Sequence, residues 1–178
     1  VKFNLGNKMD LMVPFIHTMI KPGPENSICD VDGILVGNAS EDSSLTGVTV
    51  VLPTRRAVAA ADIRGGAPGT RETELLNPSN TVNEVDAVVL SGGSVFGLEA
   101  ASSVTRWLSD NLRGIEVRGA TIPIVPSAII FDFSIGASRN WSTKTPFDLL
   151  AREACNKANR KVQQGNIGAG IGATAGKL

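Results

Sequence analysis

Two glycine-rich stretches hold the residues best placed to do chemistry. The first, S-G-G-S-V-F-G at 91–97, follows the apolar run D-A-V-V-L and precedes a segment of helical periodicity. A glycine turn between a strand and a helix can aim backbone N–H groups at an anion or at a carbonyl oxygen. Ser91, Gly92, Gly93 and Ser94 are therefore candidate substrate-binding residues. The pattern is not a P-loop, because no Lys-Ser/Thr pair follows, and it lacks both the dinucleotide spacing and the G-x-S-x-G of a nucleophile elbow. Taken alone, a tight strand-to-helix turn with close packing is the plainer explanation.

The second stretch, G-N-I-G-A-G-I-G-A-T-A-G-K-L at 165–178, places Lys177 after a run of small residues. Glycines let a backbone pass close to a ligand or to another strand. A lysine following such a passage is open to desolvation, which lowers its pKa and makes it a better proton acceptor or hydrogen-bond donor. Composition alone describes a frayed terminus with a solvated lysine instead.

Other polar residues carry weaker signals. Arg64, Arg71, Glu72 and Glu74 lie in and after R-G-G-A-P-G-T. Either arginine could bind a carboxylate, but a surface loop with screened ion pairs is favoured. Ser127, Phe131, Asp132 and Ser134 share one bent segment. Asp132 has no evident partner there, so a paired-carboxylate acid/base site is unsupported, and the hydroxyls are expected to satisfy backbone groups. The single histidine, His17, argues against a His-based triad or a His-rich metal site within this chain. Cys29 and Cys155 lie far apart without CxxC spacing and are expected to be reduced and buried.

These residues need a frame. The chain has 178 residues, 42% of them hydrophobic, which suits one domain with a real core. Its 17 basic and 17 acidic residues cancel and form no basic block, so no nucleic-acid partner is indicated. With 19 glycines and no tyrosine, packing must rely on aliphatic and small side chains. Residues 1–26 read as an arm or leader, and 27–178 as part of a single domain. Met9–Ile20 is apolar but interrupted by Asp10, Pro14 and His17. It is shorter than the roughly 20 residues of a membrane span and lacks a signal-peptide pattern. It is expected to pack on its own fold or on a neighbouring subunit; no membrane association and a cytoplasmic location are expected.

Periodicity supplies the elements. Ser27–Val36 reads as two strand pieces around Asp32-Gly33, and Gly47–Leu52 as a buried strand. Ala57–Ile63 is ambiguous, with strand favoured, and 64–70 is a loop. Asp86–Leu90 is a second buried strand, followed by a helix over Val95–Leu112 with Ser94 as its N-cap. Ile115–Val117 reads as a short strand, and Pro123–Phe133 as a bent or edge segment split by Pro126. A second helix spans Pro146–Gln163, with Pro146 at its first position. A layered α/β sandwich is expected.

Six blocks in one order resemble the front part of the P1-type aminopeptidase family. They are D-V-D-G-I-L-V-G-N, G-V-T-V-V-L-P, D-I-R-G-G-A-P-G-T-R-E-T, V-L-S-G-G-S-V-F-G-L-E-A-A, I-V-P-S-A-I-I-F-D-F and G-A-G-I-G-A-T-A-G-K. This is the L-aminopeptidase/D-esterase group, which also holds β-aminopeptidases and a nylon-oligomer hydrolase. The resemblance covers residues 27–178 and implies a four-layer αββα sandwich of the N-terminal-nucleophile type, of which this chain forms part. It implies a precursor that cuts itself into α and β chains, a Ser or Thr nucleophile at the new β-chain N-terminus, and that residue's own amine as base. No metal or cofactor is implied. The implied partners are the β chain of the same precursor and a small peptide or amide substrate, in a homo-oligomer of α/β pairs. Lys177 matches a lysine near the nucleophile. Phe131 falls where a relative has an active-site tyrosine, so it shapes the pocket without donating a hydrogen bond. Ser127 falls near a glutamate that holds the substrate ammonium in β-aminopeptidases. The nucleophile and the oxyanion asparagine are expected downstream of A-G-K-L. An anion- or nucleotide-binding module built on 91–97, and an acyltransferase of similar fold, remain as alternatives.

Overall fold

A computed structural model describes residues 21–133, 139–141 and 143–176. Among these, the strands are β1 (Ile34–Glu41), β2 (Thr46–Pro53), β3 (Ala57–Val58), β4 (Thr70–Arg71), β5 (Glu84–Val85), β6 (Val88–Ser91), β7 (Ile115–Val117), β8 (Ala120–Ile122) and β9 (Ser127–Ile129). The helices are α1 (Glu99–Asp110) and α2 (Phe147–Lys157).

The frame is a mixed sheet in the order β1-β2-β6-β9-β4. β1 and β2 form an antiparallel hairpin, paired from Ile34 opposite Pro53 to Glu41 opposite Thr46. β6 runs antiparallel to β2 and parallel to β9. The pairs β3–β5 and β7–β8 stand apart as small two-stranded sheets.

Alternation decides which side chains meet the helices. Val48, Val50 and Leu52 of β2 point to one face with Ala39 of β1 and Val89 of β6. There they pack with Ala100, Ala101, Val104 and Leu108 of α1 and with Phe147, Leu150, Ala151 and Ala154 of α2. β-branched residues suit this half-buried pleated surface. Gly37 of β1 lets α2 lie directly on the sheet, since a Cβ there would collide with the Ala154 carbonyl. The two helices are also tied laterally: Ser103 Oγ and Arg106 donate to one oxygen of Asp148, at 2.6 and 2.7 Å. Those two hydrogen bonds hold the Asp148 carboxyl below the usual range. Cys29 and Cys155 are buried and unbridged, as expected, and burial pushes the Cys155 thiol up to about 12. No helix among the described residues is long and apolar enough to cross a membrane.

Several boundaries differ from expectation for local reasons. The first strand piece near Ser27 is a 3-10 turn, Ile28–Asp30. Ser27 caps it, and the Asp30 carboxylate takes the N–H groups of Ser27 and Glu25. In 57–63 only Ala57–Val58 pairs as strand. The segment around Pro126 is not an edge: β9 lies between β6 and β4, and the Pro126 carbonyl accepts from Val89 N–H at 3.0 Å. Ser94 is not an N-cap. It begins a 3-10 segment, Ser94–Leu98, that precedes α1, with Gly93 at the cap position. The second helix stops at Lys157, and Pro146 is its N-cap rather than its first residue. The chain then turns so that Asn159 exchanges backbone hydrogen bonds with Val36. That contact shields part of the β1 edge.

Of the expected layers, one helical layer and one sheet are seen among the described residues. Residues 165–172 lie on the sheet face opposite the helices, where Gly168 and Ala169 bond to Ser40 of β1 and Thr49 of β2.

Candidate functional site

The glycine turn is built by close approach. β6 ends at Ser91, which is buried, its hydroxyl donating to the Gly92 carbonyl at 3.1 Å. A side chain on Gly92 would collide with the Asp132 carboxylate and the Thr46 hydroxyl. Gly93 sits on the Phe147 ring with φ +78°, a region that favours glycine. Gly92 N–H donates to the Gly47 carbonyl at 2.9 Å and Ser94 N–H to the Ile130 carbonyl at 3.0 Å. Gly93 N–H donates to Asp132 Oδ1 at 3.0 Å. The three N–H groups that could have met an external anion are thus engaged internally, which leaves the anion- or nucleotide-binding alternative without these donors.

Asp132 is the centre of this arrangement. It is fully buried, and Thr46 Oγ1 donates to its Oδ2 at 2.8 Å. The expectation that it lacks a partner is corrected: the guanidinium of Arg139, itself only 4% exposed, lies 3.5 Å from Oδ1. Arg139 also donates to the carbonyls of Ser44 (3.0 Å), Leu45 (3.3 Å) and Asp132 (2.8 Å). Its guanidinium carbon stands 4.5 Å from the centre of the Phe133 ring and 5.6 Å from that of Trp141, a cation–π arrangement. Burial demands such partners, because an unpaired charge in this position is costly.

Aromatic rings continue from the arginine. Phe131 stacks on Phe133 with centres 5.4 Å apart, and Phe133 meets Trp141 edge-on at 5.5 Å. Trp141 in turn contacts Phe96 and Phe147, at 5.8 and 5.2 Å. Phe131 and Phe96 are exposed, so the cluster presents an apolar shelf beside the glycine turn.

The terminal glycine run reaches the same place from the other side. Gly168 N–H donates to Ser40 Oγ at 2.7 Å, and Ala169 N–H to Thr49 Oγ1 at 3.0 Å. The Thr49 hydroxyl donates in turn to Asn38 Oδ1 at 2.6 Å. A Cβ on Gly168 would strike both Asn38 and Thr49, and one on Gly172 would strike the Leu45 carbonyl. Ile171 is buried between them in sequence. Through residue 172 the run is therefore part of the fold. A groove of about 360 Å³ lies along it, lined in part by Asn38, Thr49, Leu90 and Ala169. Lys177 and Ser134 lie outside the described residues.

Gly172 rests on Leu45, Leu45 accepts from Arg139, and Arg139 pairs with Asp132, which holds Gly93. The structure so brings Ser91, Gly92, Gly93, Phe131 and the run that leads to Lys177 into one neighbourhood. Ser127 is placed differently. It pairs with Val89, shares its helix-facing side, is 3% exposed and has a hydroxyl without a hydrogen-bond partner among the described residues. Arg64 follows the surface-loop reading, paired with Asp62 in solvent. Arg71 bonds Ser102 of α1, and Glu72 accepts from Val125 N–H at 3.1 Å, so both tie the fold together. Thr46 and Arg139 were not anticipated. Thr46 immediately precedes the strand read at Gly47–Leu52, and Arg139 carries no motif of its own. No cluster of three potential metal ligands occurs among the described residues.

Comparison with known proteins places this geometry. Residues 26–178 match peptidase family S58. An uncharacterized aminopeptidase of Mycobacterium leprae is 46% identical over 173 residues, covering 90% of this chain and 48% of that protein. A 6-aminohexanoate-oligomer endohydrolase of Kocuria is 34% identical over 174 residues, covering 97% of this chain and 44% of its own length. The chain thus spans about half the length of the curated relatives it matches. Among solved structures, the L-aminopeptidase D-Ala-esterase/amidase of Ochrobactrum anthropi, described as a variant of the Ntn hydrolase fold, superposes with TM-score 0.69 at 20% identity, over 86% of this chain and 46% of that one. A β-aminopeptidase of Burkholderia gives 0.56 at 16% identity, over 84% and 43%. At such identities the structures establish the fold alone, and it is the Ntn-hydrolase fold.

Proposed function

The chain belongs to peptidase family S58, and on that premise we propose that it is the α-chain portion of an autoprocessed amide or peptide hydrolase. The observation that carries the reading is the meeting of the glycine run with the Gly92–Gly93 turn through Leu45, Arg139 and Asp132. The backbone is pinned at Gly172 against the Leu45 carbonyl, five residues before Lys177 in sequence. In this reading the nucleophile is a Ser or Thr at the N-terminus of a β chain born from the same precursor, with its own amine as base. Lys177 stabilises charge beside it. Phe131 and its neighbours wall the substrate's apolar side. Ser91, Gly92, Gly93 and Ser94 shape the wall and do not donate to substrate through the N–H groups of 92–94. Ser127, buried beneath the sheet surface, supports the wall rather than touching substrate.

Leu90 is 41% exposed although β6 is an interior strand, which gives the β chain an apolar surface to cover. A homo-oligomer of α/β pairs, with residues 1–26 as a packing arm, completes the reading. It calls for no cofactor.

Mass spectrometry of the full-length product tests it. Two fragments are expected, the second beginning with Ser or Thr, together with hydrolysis of aminoacyl anilides. Replacing that Ser or Thr by Ala should leave an uncut and inactive precursor. A wild-type product that stays in one piece and hydrolyses no amide defeats the proposal.

A further inference from the structure

We propose that Asp132 and Arg139 are positioning residues that align the Gly92–Gly93 turn with the terminal glycine run; as a statement about catalysis this rests on the hydrolase reading above. The turn has the form of an anion cradle, and the anion it holds is the protein's own. Two donors converge on the Asp132 carboxylate, the Gly93 N–H on Oδ1 and the Thr46 hydroxyl on Oδ2. An amide in place of the carboxylate would keep the shape, its NH2 meeting the Thr46 hydroxyl, but would lose the negative charge opposite Arg139 and weaken the acceptor that holds the Gly93 N–H. Gly92 has no side chain because this carboxylate occupies the space.

Arg139 does more than neutralise the charge. Its remaining donors hold the carbonyls of Ser44 and Leu45, at the connection between β1 and β2. Gly172 lies on that same Leu45 carbonyl. One ion pair therefore joins the end of β6 to the chain that runs toward Lys177, and the flat guanidinium also carries the Phe133 ring. Buried ion pairs are weak sources of stability but can specify one geometry. Displacement of a reacting group by about 1 Å can cost about 100-fold in rate, so a pair that fixes two backbone segments against each other bears directly on turnover.

The test uses the full-length precursor as wild type, Asp132→Asn, Arg139→Met and the double variant. Three quantities are measured: amide hydrogen exchange at 92–94 and 170–173, kcat and KM on an aminoacyl anilide, and the unfolding temperature. Exchange at Gly93 should rise about tenfold or more in Asp132→Asn, and in Arg139→Met it should rise at both segments. In both variants kcat should fall about 10- to 100-fold with KM within about threefold. The double variant leaves no lone buried charge and should regain unfolding temperature without regaining kcat. Recovery of kcat together with unfolding temperature overturns the inference, because the pair would then be merely structural. A variant with wild-type kcat overturns it too. If the wild type hydrolyses no amide, the hydrolase reading falls, and exchange still decides the positioning claim: unchanged rates at 92–94 and 170–173 overturn it.

Discussion

Two glycine-rich loops in this chain look alike as strings and differ as objects. R-G-G-A-P-G at 64–69 and S-G-G-S-V-F-G at 91–97 each leave a regular pattern, and each carries a glycine pair. A Cβ added at Gly65 or Gly66 would meet nothing within 4 Å. At Gly92, Gly93 and Gly97 it would meet, in turn, the Asp132 carboxylate, the Phe147 ring and the Gly92 carbonyl. The glycine pair of the first loop is uncrowded, and only Gly69 at the loop's end meets a neighbour, the Ile129 side chain. The second loop has glycine because other groups have taken the space: the Asp132 carboxylate at Gly92, the Phe147 ring of α2 at Gly93 and the turn's own backbone at Gly97. Crowding, not glycine content, separates a site wall from a connection.

Alanine substitutions can break or sharpen that contrast. Gly93→Ala meets both a ring and a φ of +78°, and should lose about 3–4 kcal/mol of unfolding free energy in chemical denaturation. Gly66→Ala should stay within about 0.5 kcal/mol of wild type. Comparable losses at the two positions would abolish the distinction between the loops.

How much of this could be read from residues alone follows the same line. The strands β2 and β6 and the two helices were legible, because aliphatic periodicity reports which face is buried: Val48, Val50 and Val89 on one side, Val104 and Leu108 meeting them. Helix ends were less legible. Nothing in A-N-R-K-V-Q-Q forbids helix, yet Asn159 leaves it to pair with Val36 near the other end of the chain, a tertiary contact that overrides local propensity. At the site, the turn and Phe131 announced themselves through glycine and through resemblance to a family. Asp132 was visible, but its partner was not. An ion pair that spans residues 132 and 139 and reaches Ser44 and Leu45 is written in three-dimensional proximity, not in spacing. Ser127 shows the reverse. Its resemblance to the neighbourhood of a substrate-binding glutamate made it a candidate, but strand alternation and the register with Val89 send it to the buried side.

The terminal run repeats the comparison inside one segment. Gly165 has open space where a Cβ would stand, whereas Gly168 faces Asn38 and Thr49. Gly168→Ala should therefore cost about 3 kcal/mol and loosen the run, and Gly165→Ala, whose one source of strain is its φ of +98°, about 1–2 kcal/mol. The measurement that sharpens this is hydrogen exchange at Ala169 and Ile171: the first substitution should accelerate it, and the second should leave it alone. If both accelerate it equally, the run is held by something other than its contact with β1 and β2.

A small effect is expected where α1 meets α2, at Asp148, the residue after the Phe147 on which Gly93 rests. The Asp148 carboxylate accepts from Ser103 and Arg106, and these hydrogen bonds lower its pKa. A lowered folded-state pKa stabilises the fold at pH values above the unfolded-state pKa, ordinarily about 3.9 for Asp. That contribution is lost as pH falls through the folded value. The side chain is 38% exposed, so solvent screening should keep the contribution below about 1 kcal/mol. Asp148→Asn should accordingly be less stable than wild type in urea at pH 6, with the gap closing as the titration is repeated toward pH 3. A gap that stays constant over that range would show that Ser103 and Arg106 hold the helices together through geometry alone, without help from the charge. The helix interface would then resemble the neutral packing around Val104 more than the charged centre at Asp132.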